Sequence, residues 1–212
     1  MHLSTLSMRA AVLATVVTLQ SGADAKAKPT IPTLPLAIAV ALEEGLAGQV
    51  PVRDEAWIDA QFQAATRLFG AEGVHFQRVE RAPLDPRFAR LETRDDRDAL
   101  AAETQKAVVN VFVVASLRDV DDPALHRGGV HWRARQSPAR HYIIVAASAG
   151  PSTLAHELGH FFGNGHSTVT DNVMSYKRTG ENVFFDAAQV TRIRASTLGY
   201  LARKELVPIA AP

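Results

Sequence analysis

The sequence predicts one domain of the α+β class with an α/β-like order, in which helices pack on a twisted mixed β-sheet. Runs rich in valine and isoleucine, typical of strands, alternate with segments of helical periodicity. The chain has 212 residues, 47% hydrophobic and 21% charged, which is enough for one domain with a sizeable core. Its formal net charge of +1 gives no electrostatic reason to bind nucleic acid, and we expect no such partner.

The N-terminus has the pattern of a secretory signal peptide. A short basic region, Met1 to Arg9, precedes the apolar run Ala10 to Leu19, which is too short to span a bilayer as a helix. Small residues that fit an A-x-A cleavage rule follow at Ala23 to Ala27. An unremoved tail or anchor is the alternative. The predicted boundaries are a signal peptide over 1–27, a linker rich in proline and threonine over 28–35, and a folded domain over 36–212.

These features predict where the mature protein resides. We expect it to be secreted or periplasmic, monomeric, and not stably inserted in a membrane once the signal is removed. The chain contains no cysteine. A domain of this size does not need disulfides, and the absence excludes both a cysteine-ligated zinc site and a latency device that places a thiolate on a metal.

The first half of the domain predicts two strands around a helix. Leu36 to Leu42 has the length of a buried strand, and Asp54 can cap a helix that ends near Gly70. Val74 to Val79 is a second candidate strand. Arg81 to Arg97 is rich in proline and charge, and we interpret it as surface loop. The apolar stripe of the helix consists of Ile58, Phe62, Ala65 and Phe69.

The second half predicts three further strands. The clearest is Val108 to Leu117, because it is rich in valine. A turn over Asp119 to Pro123 follows, and Gly129 to Arg133 has the length of a short edge strand. The third predicted strand is His141 to Ala147.

Two helices close the domain. The first begins near Gly150 and runs to about Gly163. The last begins at Asp186, which with Gln189 matches a capping box. Its predicted inner face consists of Val190, Ile193, Thr197 and Leu201.

The first of these helices carries the residues of a metal site. His156 and His160 are four residues apart, so their imidazoles lie on one helix face at a separation that one zinc ion can bridge. Glu157 projects beside that point, where it can accept a proton from a metal-bound water. Gly163 can stop the helix and let the chain turn back, so that His166 supplies a third ligand.

Three imidazoles leave a fourth position for water, which is typical of a catalytic zinc site rather than a structural one. Met174 lies eight residues after His166, and in a tight turn it could form an apolar floor under the imidazoles. The alternative interpretation is a helix whose histidines lie on the surface or in the core without a metal.

The segment His156 to His166, HELGHFFGNGH, resembles the motif HExxHxxGxxH of the metzincin zinc metalloproteases, and the stretch from Val173 to Tyr176 resembles their Met-turn. Ser167 and the spacing to Met174 are similar to matrixins. Tyr176 is similar to the corresponding tyrosine of astacins and serralysins, so the subfamily stays open.

The resemblance implies a zincin-like fold and a set of residue roles. His156, His160 and His166 are then the ligands of one Zn²⁺, and Glu157 is the general base that acts on the zinc-activated water. Tyr176 is a second catalytic residue, one that donates a hydrogen bond to the reaction intermediate. The implied activity is that of a zinc metalloendopeptidase acting on a protein or peptide substrate.

Three alternatives stay open beside this prediction. A second zinc could bind His126, His131 and His141, although surface or rim histidines are favoured. Calcium could bind Asp119, Asp121 and Asp122, although a charged turn is favoured. The domain could also hold zinc as a binding or inhibitory module without turnover, or act as an amidase on cell-wall peptides.

Overall fold

The computed structural model describes residues 30–179 and 182–209 of the chain. The predicted signal peptide and the first two residues of the predicted linker lie outside them. Strand β1 (Leu34–Val40) includes the last two predicted linker residues, so it starts two positions before the predicted strand.

A five-stranded sheet forms the centre of the domain, in the order β4-β1-β6-β9-β8. Strands β4 (Phe76–Val79), β1, β6 (Val109–Val114) and β9 (Ser137–Ala146) are parallel. Strand β8 (Gly129–Ala134) is antiparallel to β9 and forms one edge of the sheet. The prediction of a mixed sheet with an edge strand at this position is therefore confirmed.

Both faces of the central strands are buried, which explains their continuous apolar runs. In β6, Val111 and Val113 belong to a core under the long helices, whereas Phe112 and Val114 belong to a second core on the opposite face. Because side chains of a strand alternate between faces, the valines and the phenylalanine of this one strand supply two cores.

Three helices cover the first face. Helix α1 (Glu55–Gly70) begins as predicted at Asp54, whose carboxylate accepts the backbone N–H of Trp57 at 2.9 Å. Helix α3 (Thr153–Phe161) packs against α1 and carries the HExxH sequence. Helix α4 (Ala187–Ala202) has the predicted capping box. In the described part of the chain, none of the helices has the length and apolar character needed to cross a membrane.

The interpretation of Arg81 to Arg97 as surface loop was wrong. This segment includes a 3₁₀ turn at Pro86–Phe88, the short strand β5 (Arg90–Leu91) and the start of helix α2 (Arg94–Ala99). Leu84, Phe88 and Leu91 are buried in the second core. Their apolar burial outweighs the charge of the intervening residues, which face solvent.

Smaller elements also differ from the prediction. Leu42 begins a separate strand, β2 (Leu42–Gly45), which forms a hairpin with β3 (Gly48–Pro51). A second 3₁₀ turn, Leu100–Glu103, follows α2. Ser116–Leu117 forms β7, which pairs with β5. None of these contributes directly to the candidate site.

Candidate metal centre

A side chain of α1 fixes the start of the helix that carries the site. Gln61 is buried; its amide nitrogen donates to the carbonyl of Gly150 at 2.8 Å, and its amide oxygen accepts the N–H of Leu154 at 3.2 Å. Ser152, at the N-cap position, makes no capping bond of its own. Gln61 therefore satisfies a donor in the first turn of α3 and anchors that turn to α1.

The structure brings the three predicted ligands together. The Nε2 atom of His160 lies 3.1 Å from Nε2 of His156 and 3.1 Å from Nε2 of His166. Within the described residues, these three form the only group of metal-ligating side chains whose donor atoms all lie within 4.8 Å of one another. We call this group the His triad.

The turn that returns His166 to the helix is built on Gly163. Its φ of +90° is a conformation that glycine adopts readily and other residues rarely do. The carbonyl of the next residue, Asn164, lies 2.8 Å from Nδ1 of His160. The same turn therefore stops α3, reverses the chain and orients one imidazole.

A second backbone carbonyl orients His156. Its Nδ1 lies 2.7 Å from the carbonyl oxygen of Val173, which also accepts a hydrogen bond from Nη1 of Arg178 at 2.8 Å. A ring that donates from Nδ1 to a carbonyl leaves the lone pair of Nε2 for a metal. Both helical imidazoles thus have the tautomer that a zinc ligand needs.

The protonation states also fit a metal. Burial lowers the pKa of His156 to about 4, and burial likewise lowers the pKa of His160 and of His166 below the ordinary value. The rings are therefore neutral near pH 7. Three neutral imidazoles with converging Nε2 atoms fit the donor set of a zinc ion with an open position.

Met174, the residue predicted to form a floor under the imidazoles, packs against helix α3 at Gly159. It is fully buried, and its sulfur would lie only 2.2 Å from a Cβ atom at position 159. Gly159, inside the HELGH sequence, therefore makes room for the methionine. The requirement for a glycine here comes from packing between the helix and the Met-turn, the segment Asn172 to Tyr176.

A pair of buried amides holds the Met-turn against α4. Asn172 donates to the side-chain oxygen of Gln189 at 2.9 Å, and Gln189 donates back to Asn172 at 3.0 Å. The oxygen of Asn172 also accepts the N–H of Met174 at 2.9 Å. The sequence predicted Gln189 as a capping residue but not this second role, and it indicated no role for Asn172.

Glu157 lies under the edge strand β8. Burial raises its pKa to about 7, partly offset by a backbone hydrogen bond from His131. A Cβ atom at Gly129 would lie 2.8 Å from Cγ of Glu157, so only glycine permits this approach of strand and carboxylate. A carboxyl group with a pKa near neutrality can both accept and return a proton.

Tyr176 is exposed, and its hydroxyl lies 2.8 Å from Nε2 of His166. The structure therefore places this predicted catalytic residue beside the His triad. The triad, Glu157 and Tyr176 line a cleft of about 590 Å³. Its other walls include β8, the turn after Asp119, and the arginines Arg94, Arg97, Arg127 and Arg178.

The aspartates considered for calcium do not converge. Asp119 accepts backbone N–H groups from Asp121 and Asp122, and it pairs with Arg127. Asp121 points instead to Arg94. Their carboxylates therefore form a charged turn, the interpretation favoured from the sequence.

The histidines considered for a second zinc also do not form one group. His131 and His141 lie 2.9 Å apart through their ring nitrogens, and His141 stacks on Phe161 at 4.3 Å between ring centroids. The backbone of His126 forms an isolated antiparallel bridge with that of Arg118, and the His126 side chain belongs to no metal-ligating group among the described residues. The first two form a partly buried pair, which we call the His pair, without a third ligand among the described residues.

Solved structures of other proteins match this chain. The fold is similar to archaemetzincin from Methanopyrus kandleri, at 17% identity and a TM-score of 0.48, over 79% of this chain and 96% of that one. No family model and no curated protein matches the chain.

Proposed function

We propose that this protein is a zinc-dependent endopeptidase. The observation that carries the proposal is the His triad, with two of its rings oriented by carbonyls and Glu157 placed beside it. A structural zinc site uses four protein ligands, whereas three leave a position for water and substrate. A carboxyl group with a pKa near neutrality beside that position favours a hydrolase over a module that only holds zinc.

The residues of the His triad would hold the ion. Zn²⁺ bound there would lower the pKa of a coordinated water towards about 7 and polarise a carbonyl oxygen. Glu157 accepts the proton of the attacking water and returns it to the leaving amine. Because the same carboxyl group acts as base and as acid, no second base is needed at neutral pH. Tyr176, whose hydroxyl lies beside His166, would donate a hydrogen bond to the oxyanion of the intermediate.

Strand β8 is the surface we propose for the substrate. It forms the edge of the sheet next to the cleft, and its Gly129 contacts Glu157 directly. An extended peptide that adds to this edge would place a backbone carbonyl near the His triad. Peptide bonds in extended segments are therefore the substrate class that this geometry favours.

The test is a digest of a peptide library by wild-type protein and by Glu157→Gln, with zinc measured in both. We expect one zinc per chain in both proteins and a fall in kcat of about 10² to 10⁴ in the variant, since a general base contributes that much. Gln keeps the size of the side chain, so that loss of fold does not explain the result.

Two outcomes would reject the proposal. One is a folded wild-type protein that binds no zinc. The other is a zinc-loaded protein that cuts neither proteins nor peptides, which would favour the binding module. Cleavage of cell-wall peptides alone, with proteins and the library left intact, would favour the amidase.

A further inference from the structure

Four arginines line the cleft, and three of them have partners in the protein. Arg94 pairs with Asp121, and Arg127 pairs with Asp119. Arg97 is buried; it donates to a backbone carbonyl and its guanidinium lies 4.8 Å from the ring centre of Trp132. These three therefore support the walls of the cleft.

Arg178 differs from the others. It is half-buried, and no carboxylate of the described residues lies within 4.0 Å of it. Its Nη1 donates to the carbonyl of Val173, while Nε and Nη2 have no acceptor in the part of the chain that the structure describes. Glu157 is close enough to attract the guanidinium but forms no ion pair with it. Among the residues that the structure describes, none forms an ion pair with this guanidinium.

The position of Arg178 connects two cavities. It lines the cleft beside Glu157 and Tyr176, and it also lines a second cavity of about 910 Å³. Leu68 and Phe184 supply apolar surface to that second cavity. A substrate side chain that leaves the cleft at the start of α3 would meet the guanidinium at the junction.

We propose that Arg178 binds a carboxylate of the substrate and thereby selects an acidic residue, or a chain end, next to the bond that is cut. A guanidinium presents its donors as a planar fork that matches a carboxylate. Nε and Nη2 are adjacent donors, so they can bind one carboxylate together while Nη1 stays on Val173. This inference rests on the proposed peptidase function and names its substrate class.

A purely structural role would use Arg178 differently. The bond to Val173 needs only one of its donors, and the same carbonyl is already bonded to His156. A positioning residue would therefore affect all substrates equally through the His triad. A carboxylate-binding residue instead changes the ratio between acidic and neutral substrates.

The experiment compares peptides that differ only by Glu or Gln at one position, scanned across the cut, with acetylated and amidated ends. A parallel series has a free or an amidated C-terminus. We expect wild-type protein to favour the carboxylate in one series by about tenfold to a hundredfold in kcat/KM, the value of a charged hydrogen bond. A preference in the Glu/Gln series would show that the bound carboxylate belongs to a side chain. A preference in the other series would show that it belongs to the C-terminus of the peptide.

The variants are Arg178→Met and Arg178→Lys, with Arg94→Met as the matched control. Arg178→Met should lower the ratio of kcat/KM between carboxylate and neutral peptides to about one. Arg178→Lys should keep part of the preference. Arg94→Met removes an arginine of the same cleft that is already paired, so the preference should stay. Zinc content, measured in each variant, reports any effect on the His triad.

The proposal is overturned if wild-type protein shows no preference in either series, or if Arg178→Met lowers cleavage of all peptides by one factor. If no peptide is cut, the proposed function fails separately. In that case the carboxylate site is tested by binding, with affinity selection of the same peptides on the zinc-loaded Glu157→Gln variant. Enrichment of the carboxylate peptides that depends on Arg178 supports the site, and equal retention rejects it.

Discussion

The His triad and the His pair contain the same chemical group in similar surroundings, yet only one of them fits a metal. Burial lowers the pKa of His131 to about 3 and that of His141 to about 4, as it lowers that of His156 to about 4. Both groups have ring nitrogens about 3 Å apart, with distances of 2.9 and 3.1 Å. Neutral imidazoles in contact, with their pKa lowered by desolvation, are therefore not sufficient for a zinc site.

The two groups differ in the hydrogen-bond partner of the second nitrogen of each ring. In the His triad, backbone carbonyls accept hydrogen bonds from Nδ1 of His156 and His160, and all three Nε2 atoms converge. In the His pair, one ring bonds the other, and His141 stacks on Phe161. Orientation and ligand number distinguish the two groups, and the pair contributes to packing instead.

The largest expected effect is the loss of a ligand. His160→Ala should lower zinc affinity by more than about a hundredfold, since even the outer partners of zinc ligands are worth about 10- to 100-fold. His141→Ala is the matched control and should leave one zinc per chain with unchanged affinity. Competition with a chelator measures both. Loss of zinc from the His141 variant, with the fold intact, would show that the two groups act together.

A smaller effect is expected from pH. Zinc competes with protons only below the pKa of each free ligand, and burial lowers all three values in the His triad. The zinc affinity should therefore change little between pH 7 and pH 6 and should fall as the pH drops further. Chelator competition across this range measures it. A fall of about tenfold or more from pH 7 to 6 would contradict this expectation, because it would indicate imidazoles that keep the ordinary pKa near 6.5.

Local signals in the sequence predicted much of the site and of the helices. Asp54 and the Asp186–Gln189 capping box mark the starts of two helices, and each acts within one turn of its own chain. The spacing of His156 and His160 is likewise a property of a single helix. His166 also lies beside these two rings, because Gly163 supplies the required turn.

Contacts between distant segments could not be predicted in the same way. The carbonyl of Val173 and the amide of Asn172 act across 17 residues, and nothing in their neighbours indicates the partner. The misinterpreted segment from Arg81 did contain a usable signal. Thr93 and Asp96 form a capping box, and a strict search for that pattern would have found α2.

The central claim is that three imidazoles hold one zinc ion with a position left for solvent. X-ray absorption spectroscopy of the zinc-loaded protein tests it most directly. The account predicts three nitrogen ligands at about 2.0–2.1 Å with the features of imidazole scattering, completed by oxygen. It also predicts the same spectrum in His141→Ala. Fewer than three imidazoles, or a spectrum that changes when His141 is removed, would contradict it.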